Sequence, residues 1–353
     1  MGPSLLLLST EVPCPCTQGD PVRKMVQPMK PMPVLVKTGS PDTTGHNPMG
    51  VFSKLHNGHW EIQPNEFLLH KEIGQGAMGI IFRGSLRGIT CAAKKLKDRC
   101  NKAENVQAYK DLIMELDILV SIGRHPNLVE FYGACIVDQS SPVIFEEFVD
   151  GPSLETYLTN RRDRGAPKPT RSAVYTWCMD MLRALDFLHN RDPIIIHRDM
   201  KPGNLLLTRD FTVLKLADFG MGKFVNKADM PTAKHTGHTG TVRYMAPEVY
   251  GTARAHYTEK VDIYSAAMIM WYISTQLRPV VQDKNKDIES RPDLSKIEWP
   301  EMRELMAKMW VKEPQNRPNA FQCVAELGNM PGRPNPLMAG DMTQPAGCGC
   351  SIM

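Results

Sequence analysis

The sequence lacks long apolar segments and a strong excess of charge of one sign, and each absence excludes a class of protein. The N-terminal apolar run Leu5–Leu8 is only four residues long, whereas a membrane-spanning helix needs about 18. No basic residue precedes this run, and it is too short for a secretory signal peptide. A net charge of +4 over 353 residues disfavours a protein with a broad nucleic-acid-binding face. We therefore expect no spanning helix and no nucleic-acid partner.

Paired cysteines are also absent. The nine cysteines are scattered and form no Cys-x-x-Cys pair, so neither a disulfide framework nor a zinc site is predicted. Cys14 and Cys16 flank one proline, and two soft ligands alone do not complete a tetrahedral metal site. The sequence predicts reduced thiols and a cytoplasmic location. Cys348 and Cys350 stand apart because they lie within the last six residues.

Prolines and glycines divide the chain into three parts. Residues 1–59 are rich in proline without apolar periodicity and predict a disordered arm. Residues 331–353 return to glycine and proline and predict a flexible tail. Residues 60–330 alternate apolar runs with turn signals and predict one folded domain, strand-rich at first and mostly helical later.

Apolar spacing predicts the main elements of this domain. The predicted strands are Phe67–Ile73, Gly79–Leu86, Ile89–Leu96, Val129–Val137 and Pro142–Val149. An amphipathic helix is predicted from the spacing of Val106, Tyr109, Ile113, Leu116 and Val120. The segment Val261–Ile273 is apolar on nearly all sides and predicts a helix buried within the second part of the domain.

A glycine-rich segment, Gly74-Gln75-Gly76-Ala77-Met78-Gly79, follows the first predicted strand. Glycines in a turn let backbone N–H groups approach phosphate oxygens without interference from a Cβ. A dinucleotide-binding fold would require a helix after Gly79, whereas Ile80-Ile81-Phe82 favours a strand. The segment therefore predicts a hairpin, and this motif alone leaves open whether the hairpin binds a phosphate.

Lys94 lies inside the apolar third strand, directly after Cys91-Ala92-Ala93. A buried ammonium group is unfavourable unless it is paired. Glu115 on the amphipathic helix is the predicted partner, and the alternative is that Lys94 emerges at the strand edge beside Lys95.

The strongest motifs lie in the second part of the domain. The run His197–Asn204 reads HRDMKPGN, and it is followed by Asp218-Phe219-Gly220 and then by Ala246-Pro247-Glu248. With the glycine-rich segment and Lys94, these motifs resemble the signature set of protein kinases in order and spacing. The resemblance covers about three-quarters of the chain. It implies a bilobal α+β fold with a small strand-rich N-lobe and a larger helical C-lobe.

The resemblance also implies the chemistry, which is transfer of the γ-phosphate of ATP to a protein substrate with the help of Mg²⁺. Asp199 would accept the proton of the substrate hydroxyl, and Lys201 would stabilise the transferred group. Lys94, held by Glu115, would neutralise the α and β phosphates.

The implied metal ligands are Asn204 and Asp218, whose side chains offer the hard oxygen atoms that Mg²⁺ prefers. Asn204 also belongs to the implied catalytic group. The implied ATP site consists of Ile73, Gly74, Gln75, Gly76, Ala77, Met78, Gly79, Ile80, Ile81, Ala92, Lys94 and Leu206. Of these, Ile73, Ile81, Ala92 and Leu206 would enclose the adenine.

The type of kinase is indicated by smaller signals. Lys201-Pro202 after Asp199, and Gly240-Thr241 before Ala246-Pro247-Glu248, resemble serine/threonine kinases. Trp60-Glu61-Ile62 resembles the tyrosine-kinase-like group of these enzymes. A dual-specificity kinase and a kinase-like pseudoenzyme that acts as a scaffold are the alternatives. A dinucleotide-dependent oxidoreductase would leave the later motifs unexplained.

Several positions depart from the family pattern. Cys91 and Ala93 are smaller than the residues usual there, which predicts looser packing beside the adenine. Ala266-Ala267 replaces an aromatic-Gly pair in the buried helix, which predicts a packing change. The residue at the rear of the ATP pocket of protein kinases is called the gatekeeper. Counting back from Ser153-Leu154 assigns this position to Glu146, whereas a one-residue bulge would assign it to Phe145.

The resemblance also implies two structural contacts, one between two side chains and one between a side chain and the catalytic loop. Arg317 should pair with Glu248, and Asp262 should brace the catalytic loop. Arg198 precedes Asp199 and, in similar kinases, binds a phosphate on the activation segment. The candidate phosphorylation sites in this segment are Thr232, Thr236 and Thr239.

The last four residues, Cys350-Ser351-Ile352-Met353, fit a C-a-a-X prenylation signal of the farnesyl type. One lipid chain gives only marginal membrane binding, and no basic cluster is present nearby, so Cys348 is the expected second lipidation site. We expect a cytoplasmic protein that associates peripherally with membranes through this tail.

Overall fold

The computed structural model describes residues 60–75, 79–96, 102–137, 142–226, 234–236, 241–249, 254–256, 258–280, 291–331 and 333. The strands are β1 (Phe67–Gln75), β2 (Gly79–Leu86), β3 (Ile89–Leu96), β4 (Phe131–Cys135), β5 (Val143–Glu147), β6 (Ile194–Ile196), β7 (Leu205–Leu207), β8 (Leu214–Leu216), β9 (Lys223–Val225), β10 (Lys234–Thr236) and β11 (Arg254–His256). The helices are α1 (Lys102–Ile122), α2 (Leu154–Asp163), α3 (Arg171–His189), α4 (Lys260–Thr275), α5 (Pro300–Met309) and α6 (Ala320–Gly328). Short 3-10 turns cover Pro64–Glu66, Pro202–Asn204, Val242–Tyr244, Leu294–Lys296 and Pro314–Asn316.

The N-lobe is built on a five-stranded antiparallel sheet in the order β1-β2-β3-β5-β4. β2 and β3 are joined by the two-residue turn Arg87-Gly88, in which both residues have positive φ (49° and 82°). Left-handed turns of this kind match the twist of a tight hairpin. β1 extends two residues beyond its predicted end, whereas β4 and β5 are shorter than predicted. A bulge at Gly133, where φ is 149°, interrupts the pairing of β4 with β5.

The two faces of β3 have different surroundings. Cys91 and Ala93 are fully buried and belong to a cluster with Ile62 and Phe145, whereas Ala92 and Lys94 point to the opposite face because strand side chains alternate. The expectation that Cys91 and Ala93 would loosen the packing beside the adenine is therefore wrong. Their small side chains instead pack in the cluster that contains Phe145, on the face of the sheet away from Lys94.

The C-lobe core is formed mainly by α3 and α4. Thr170 caps α3, since its hydroxyl accepts a hydrogen bond of 3.2 Å from the N–H of Ala173. Every residue of the segment Val261–Ile273 in α4 is buried, as its all-round apolar pattern predicted. Ala266 and Ala267 have no exposed surface, so small residues are what this crowded position accommodates.

The predicted arm 1–59 and nearly all of the tail 331–353 lie outside the described residues, so these domain boundaries stay predictions. Cys14, Cys16, Cys100, Cys348 and Cys350 lie outside them as well. The four cysteines of the described domain are buried free thiols, as predicted: Cys91, Cys135, Cys178 and Cys323. Among the described residues, no helix combines the length and the apolar character needed to cross a membrane.

Candidate active site

Lys94 makes an ion pair with Glu115 and a third contact with Asp218. Its Nζ donates to Glu115 Oε1 and Oε2 at 2.6 and 2.8 Å and to Asp218 Oδ1 at 3.1 Å. The Glu115 side chain is 1% exposed and that of Lys94 is 11% exposed, so both charges are largely withdrawn from water. The predicted pairing of Lys94 with Glu115 is confirmed, and the alternative of a strand-edge lysine is wrong.

The charges around Lys94 favour the ionised forms of Lys94 and Asp218, whereas burial raises the pKa of Glu115. Burial acts to lower the pKa of Lys94, but the neighbouring Glu115 and Asp218 carboxylates outweigh it and raise that pKa above its ordinary value. Burial likewise acts to raise the pKa of Asp218, yet Lys94 holds it below its ordinary value. A charged ammonium beside an ionised carboxylate is therefore available to ligands at neutral pH.

Asp199 lies at the centre of a second cluster. Its carboxylate is contacted by the Lys201 ammonium at Oδ2 and by the Asn204 side-chain amide at 3.2 Å. The same amide donates to the Asp199 carbonyl at 2.9 Å. The turn Pro202–Asn204 holds these groups together, because the Asn204 N–H bonds back to the Lys201 carbonyl at 3.0 Å. The structure thus brings together the three residues predicted from the HRDMKPGN run.

Thr241 completes this second cluster. Its backbone N–H and its hydroxyl both donate to Asp199 Oδ1, each at 3.0 Å. In the sequence, Gly240-Thr241 indicated only the substrate type, and this contact of Thr241 with Asp199 was not predicted. The available signal was the position of Thr241 shortly before Ala246-Pro247-Glu248. Gly240 itself lies outside the described residues.

Asp262 on α4 holds the backbone of the catalytic loop, as predicted. Its carboxylate accepts hydrogen bonds from the N–H groups of His197 and Arg198 at 2.8 and 2.9 Å, and His189 Nε2 lies 3.0 Å away. Arg198 has a φ of 66°, a conformation that is unfavourable for a side chain of this size. Asp262 therefore stabilises a strained backbone next to Asp199.

Arg317 and Glu248 form the second predicted structural pair. Arg317 Nη1 and Nη2 donate to the two carboxylate oxygens of Glu248 at 2.6 and 2.9 Å. Arg317 also donates to the carbonyls of Val311, Lys260 and Lys312. The pair joins the segment after Thr241 to the turn that precedes α6.

The β7–β8 hairpin places the two implied metal ligands at one end. Leu205 pairs with Leu216, and the Ala217 N–H donates to the Asn204 carbonyl at 2.9 Å, so Asn204 and Asp218 flank the same end of the hairpin. The Asn204 amide nitrogen is directed at Asp199, which leaves its side-chain oxygen as the ligand atom.

This donor set fits Mg²⁺. The Asp218 carboxylate is 46% exposed, and Mg²⁺ commonly takes one or two protein oxygens and completes its shell with phosphates and water. Within the described part of the chain, no group of three or more His, Cys, Asp or Glu side chains could hold a metal ion by itself.

The implied ATP site is described in part. β2 begins directly at Gly79, so a strand follows the glycine-rich segment and the dinucleotide-fold alternative is wrong. A Cβ at Gly79 would lie 2.5 Å from the Lys95 carbonyl oxygen, whereas one at Gly74 would meet open space. Gly79 is therefore required by close strand packing. Gly76, Ala77 and Met78 lie outside the described residues.

Two of the described apolar residues of this site share a face of the sheet with Lys94. Ile81 lies directly opposite Lys94 in the sheet, and Ala92 shares that face two residues along β3. Ile73 is 46% exposed. Gln75 is exposed as well, whereas Ile80 and Leu206 are half-buried. Leu206 belongs to β7, where it pairs with Lys215 of β8.

The strand register selects Glu146 as the residue at the rear of the pocket. Glu146 lies opposite Ala92, whereas Phe145 lies opposite Ala93 and is fully buried on the other face. Glu146 Oε1 is buried and has no hydrogen-bond partner. Burial, reinforced by the Glu115 charge, raises the pKa of Glu146 to about 8. A largely neutral carboxyl group therefore lies on the same face of the sheet as Ala92 at pH 7.

The structure does not describe the side chains of the three predicted phosphorylation sites. Thr232 and Thr239 lie outside the described residues, and the side chain of Thr236 is not described either. Arg198 Nε donates to the Met221 carbonyl at 2.5 Å, which places its guanidinium beside the segment that follows Asp218. A phosphorylation site in the activation segment stays a prediction.

Comparison with known protein families shows the family to which this chain belongs. Residues 67–327 match the family described as "Protein kinase domain". The chain belongs to the protein kinase family. The matched range lies within the predicted domain 60–330, and the predicted fold class and ATP-dependent chemistry are confirmed. Protein kinases use ATP with Mg²⁺, which agrees with the oxygen donors at Asn204 and Asp218.

Similar curated proteins are known from plants, amoebae and animals. Serine/threonine-protein kinase VIK of Arabidopsis thaliana is 33% identical over 279 residues, covering 76% of this kinase and 61% of that protein. Probable serine/threonine-protein kinase drkD of Dictyostelium discoideum is 35% identical, with coverages of 74% and 19%. Human mitogen-activated protein kinase kinase kinase 7 is 30% identical, with coverages of 78% and 44%. The chain therefore spans less than two thirds of each of these relatives.

Proposed function

We propose that this kinase transfers the γ-phosphate of Mg-ATP to serine or threonine hydroxyls of protein substrates, as part of signalling. The observation that carries the proposal is the convergence of Lys201, Asn204 and Thr241 on Asp199. The printed names of the relatives, which are serine/threonine kinases and a mitogen-activated protein kinase kinase kinase, support this substrate class and the tyrosine-kinase-like group.

Asp199 is the proposed base. The substrate hydroxyl donates its proton to the Asp199 carboxylate as its oxygen attacks the γ-phosphorus, and the bond to the bridging oxygen of ADP breaks. Thr241 fixes the orientation of the Asp199 carboxylate by its two hydrogen bonds. Lys201 carries a positive charge next to the reacting atoms and stabilises the charge that spreads over the γ-phosphoryl oxygens.

Lys94 and the metal ligands would position the nucleotide. With Glu115 holding its ammonium group, Lys94 offers a fixed positive charge to the α and β phosphates. Asn204 and Asp218 would hold Mg²⁺, which supplies further positive charge to the phosphates. The segment Gly74–Gly79, together with Ile80, would cover the phosphates, and the adenine would lie between Ile73, Ile81 and Ala92 on one side and Leu206 on the other.

A phosphotransfer assay tests the proposal. We expect wild-type protein to label a generic basic protein substrate from γ-labelled ATP, with phosphoserine and phosphothreonine as products. Asp199→Ala should lose activity by a factor of about 10² or more while it still binds ATP. Labelled tyrosine would favour the dual-specificity alternative. ATP binding without any phosphotransfer by the wild type would favour a scaffolding pseudoenzyme.

We also propose that Cys350 is prenylated and that Cys348 carries a second lipid. The support is the C-a-a-X pattern of Cys350-Ser351-Ile352-Met353 and the need for two signals in stable anchoring. We expect Cys350→Ser to move the protein from the membrane fraction to the soluble fraction, and Cys348→Ser to weaken membrane retention while prenylation continues. An unmodified C-terminal peptide in the mass spectrum of the cellular protein would contradict the proposal.

A further inference from the structure

A cleft of about 320 Å³ lies between the C-terminal end of α3 and the loop that follows α1. Its volume falls at the lower end of the usual range for ligand pockets, about 300–1,000 Å³. Most of its lining residues recur at three- and four-residue spacing along the end of α3, so they share one face of that helix. The cleft has no residue in common with the candidate active site. The lining residues are His125, Arg183, Asp186, Phe187, Asn190 and Arg191.

Two arginines give this cleft positive charge. Arg183 is exposed, and no described residue forms a hydrogen bond or an ion pair with its guanidinium group. Arg191 Nη2 donates to the Ser121 carbonyl at 2.9 Å, which fixes the side chain and leaves its charge without a carboxylate partner. Guanidinium groups with unused N–H donors suit the bidentate recognition of phosphate or carboxylate oxygens.

His125 supplies a further donor. Its Nδ1 accepts a hydrogen bond of 3.2 Å from the Asn127 N–H, so the proton of the neutral ring lies on Nε2. Burial, and after it the charge of Arg183, lowers the pKa of His125, although Asp186 acts in the opposite direction. The ring is therefore mostly neutral at pH 7, and Nε2–H is available to donate to a ligand.

Phe187 forms the apolar wall of the cleft. The His125 ring stacks on it with centroids 4.8 Å apart, and the Arg191 guanidinium carbon lies 5.0 Å from the same centroid. These contacts hold two of the donor residues in place beside one ring. Asp186 is the one carboxylate of the lining, and Asn190 already donates to its Oδ1 at 2.7 Å. The cleft therefore offers more donors and positive charge than free acceptors.

We propose that this cleft binds the phosphate group of a phosphorylated serine or threonine in a peptide segment, with Arg183 and Arg191 as its main contacts. A phosphate monoester carries close to two negative charges at pH 7, which matches two guanidinium groups better than a single carboxylate does. The cleft also has room for the side-chain carbon atoms against Phe187. The inference goes beyond the proposed function, because this binding requires no phosphotransfer by the kinase.

The neighbouring charges favour a peptide over a membrane surface. Arg124, which precedes His125, is paired with Glu130 at 2.5 Å, and Lys215 is paired with Glu147 at 2.7 Å. A negatively charged membrane surface is bound by clusters of basic residues, whereas here the two arginines without a carboxylate partner lie within one cleft.

Peptide binding by the full chain tests the proposal, with a non-hydrolysable ATP analogue and Mg²⁺ in excess to occupy the active site. Fluorescence anisotropy at pH 7 gives dissociation constants for labelled Ala-Ala-phosphothreonine-Ala-Ala and for the same peptide with threonine or glutamate at its centre. Competition measures inorganic phosphate, and flotation measures vesicles that contain phosphatidic acid. The proteins are the wild type, Arg183→Gln, Arg191→Gln, Asp186→Asn and, as a control at another exposed arginine, Arg209→Gln.

We expect the phosphothreonine peptide to bind at least about tenfold more tightly than the threonine peptide. Arg183→Gln and Arg191→Gln should each weaken its binding about tenfold to a hundredfold, the usual effect of losing a charge-assisted hydrogen bond. Asp186→Asn should strengthen binding about twofold to fivefold, because it removes a repelling charge. Arg209→Gln should change binding by less than about twofold.

Equal affinity for the phosphothreonine and threonine peptides, or unchanged binding by Arg183→Gln, overturns the proposal. Glutamate peptide or inorganic phosphate that binds as tightly as the phosphothreonine peptide also overturns it, since the cleft would then be a general anion site. Vesicle binding that depends on Arg183, without peptide binding, would assign the cleft to a membrane surface instead.

The unfolding temperature of Arg183→Gln separates lost binding from misfolding. It should equal that of the wild type, because no described residue pairs with Arg183. A clearly lower value would reveal a partner within the protein and overturn the proposal. Because none of these measurements requires phosphotransfer, an inactive wild type that still binds the phosphothreonine peptide contradicts the proposed function alone.

Discussion

Thr241 donates two hydrogen bonds to a single oxygen of Asp199, one from its backbone N–H and one from its hydroxyl, each 3.0 Å long. Asp199 receives Lys201 and Asn204 on its other oxygen. Both carboxylate oxygens are therefore held by groups from two separate parts of the chain.

Thr241→Val removes the hydroxyl hydrogen bond and keeps the size and branching of the side chain. We expect kcat on a protein substrate to fall about tenfold to a hundredfold, because the carboxylate is less well oriented. The KM for ATP should change by less than about twofold, since Thr241 contacts no predicted nucleotide residue. Steady-state kinetics provide the measurement, with Thr241→Ser as the control that restores the hydroxyl. Full activity of Thr241→Val would show that the backbone hydrogen bond alone suffices.

Arg317→Ala should destabilise the domain by about 3–5 kcal/mol, because it leaves Glu248 and several backbone carbonyls without their partner in a buried site. The Arg317 side chain is fully buried and that of Glu248 is 15% exposed. Urea unfolding measures the change in free energy. Lys308→Ala is the matched control, since its ion pair with Glu326 is 54% and 35% exposed. The control should cost less than about 1 kcal/mol, and similar losses in both variants would contradict the assignment.

Asp262→Asn tests the brace on the catalytic loop. One of its two carboxylate oxygens becomes an NH₂ group, so either the His197 or the Arg198 N–H loses its acceptor. We expect a loss of about 1–3 kcal/mol in unfolding free energy and a fall in kcat greater than the stability loss explains, because Arg198 adjoins Asp199. Asp163→Asn, at an exposed carboxylate paired with Arg162, should leave both quantities nearly unchanged. An unchanged kcat in Asp262→Asn would refute the positioning role.

Glu146 should make stability depend on pH. Its folded pKa of about 8 lies above the ordinary value of 4.5, so between these values the unfolded chain releases a proton that the folded chain keeps. The sign follows from linkage: the free energy of unfolding of the wild type falls as pH rises through this window. Relative to Glu146→Gln, we expect a loss of up to about 1.4 kcal/mol per pH unit.

Urea unfolding of both proteins at intervals from pH 5 to pH 9 measures this difference. Titration of Lys94, Glu115 and Asp218 contributes to both proteins and largely cancels. The difference should level off above pH 8. A difference that is constant from pH 5 to pH 8 would show that Glu146 is ionised in the folded protein.

Local signals predicted much of the N-lobe correctly. The turn at Arg87-Gly88 and the apolar, β-branched runs beside it gave two strands with the observed boundaries, Gly79–Leu86 and Ile89–Leu96. Hairpins form between neighbours in sequence, so turn chemistry and side-chain alternation are sufficient to locate them. β4 and β5 were predicted too long, because their pairing extends only from Phe131–Glu146 to Cys135–Val143 and depends on contacts between the two strands.

The sequence by itself determined that this chain carries a kinase domain, because the motifs around Lys94, Asp199 and Asp218 are short and occur in a recognisable order. It also indicated the pair Lys94–Glu115, since an isolated buried charge requires a partner, and the resemblance to protein kinases implied the pair Arg317–Glu248. Only the tertiary structure decided that Glu146 and not Phe145 shares the sheet face of Ala92 and Lys94, and that Thr241 reaches Asp199. A shift of one residue in strand register turns every side chain to the other face. The structure sets that register through contacts between distant segments, which no local pattern contains.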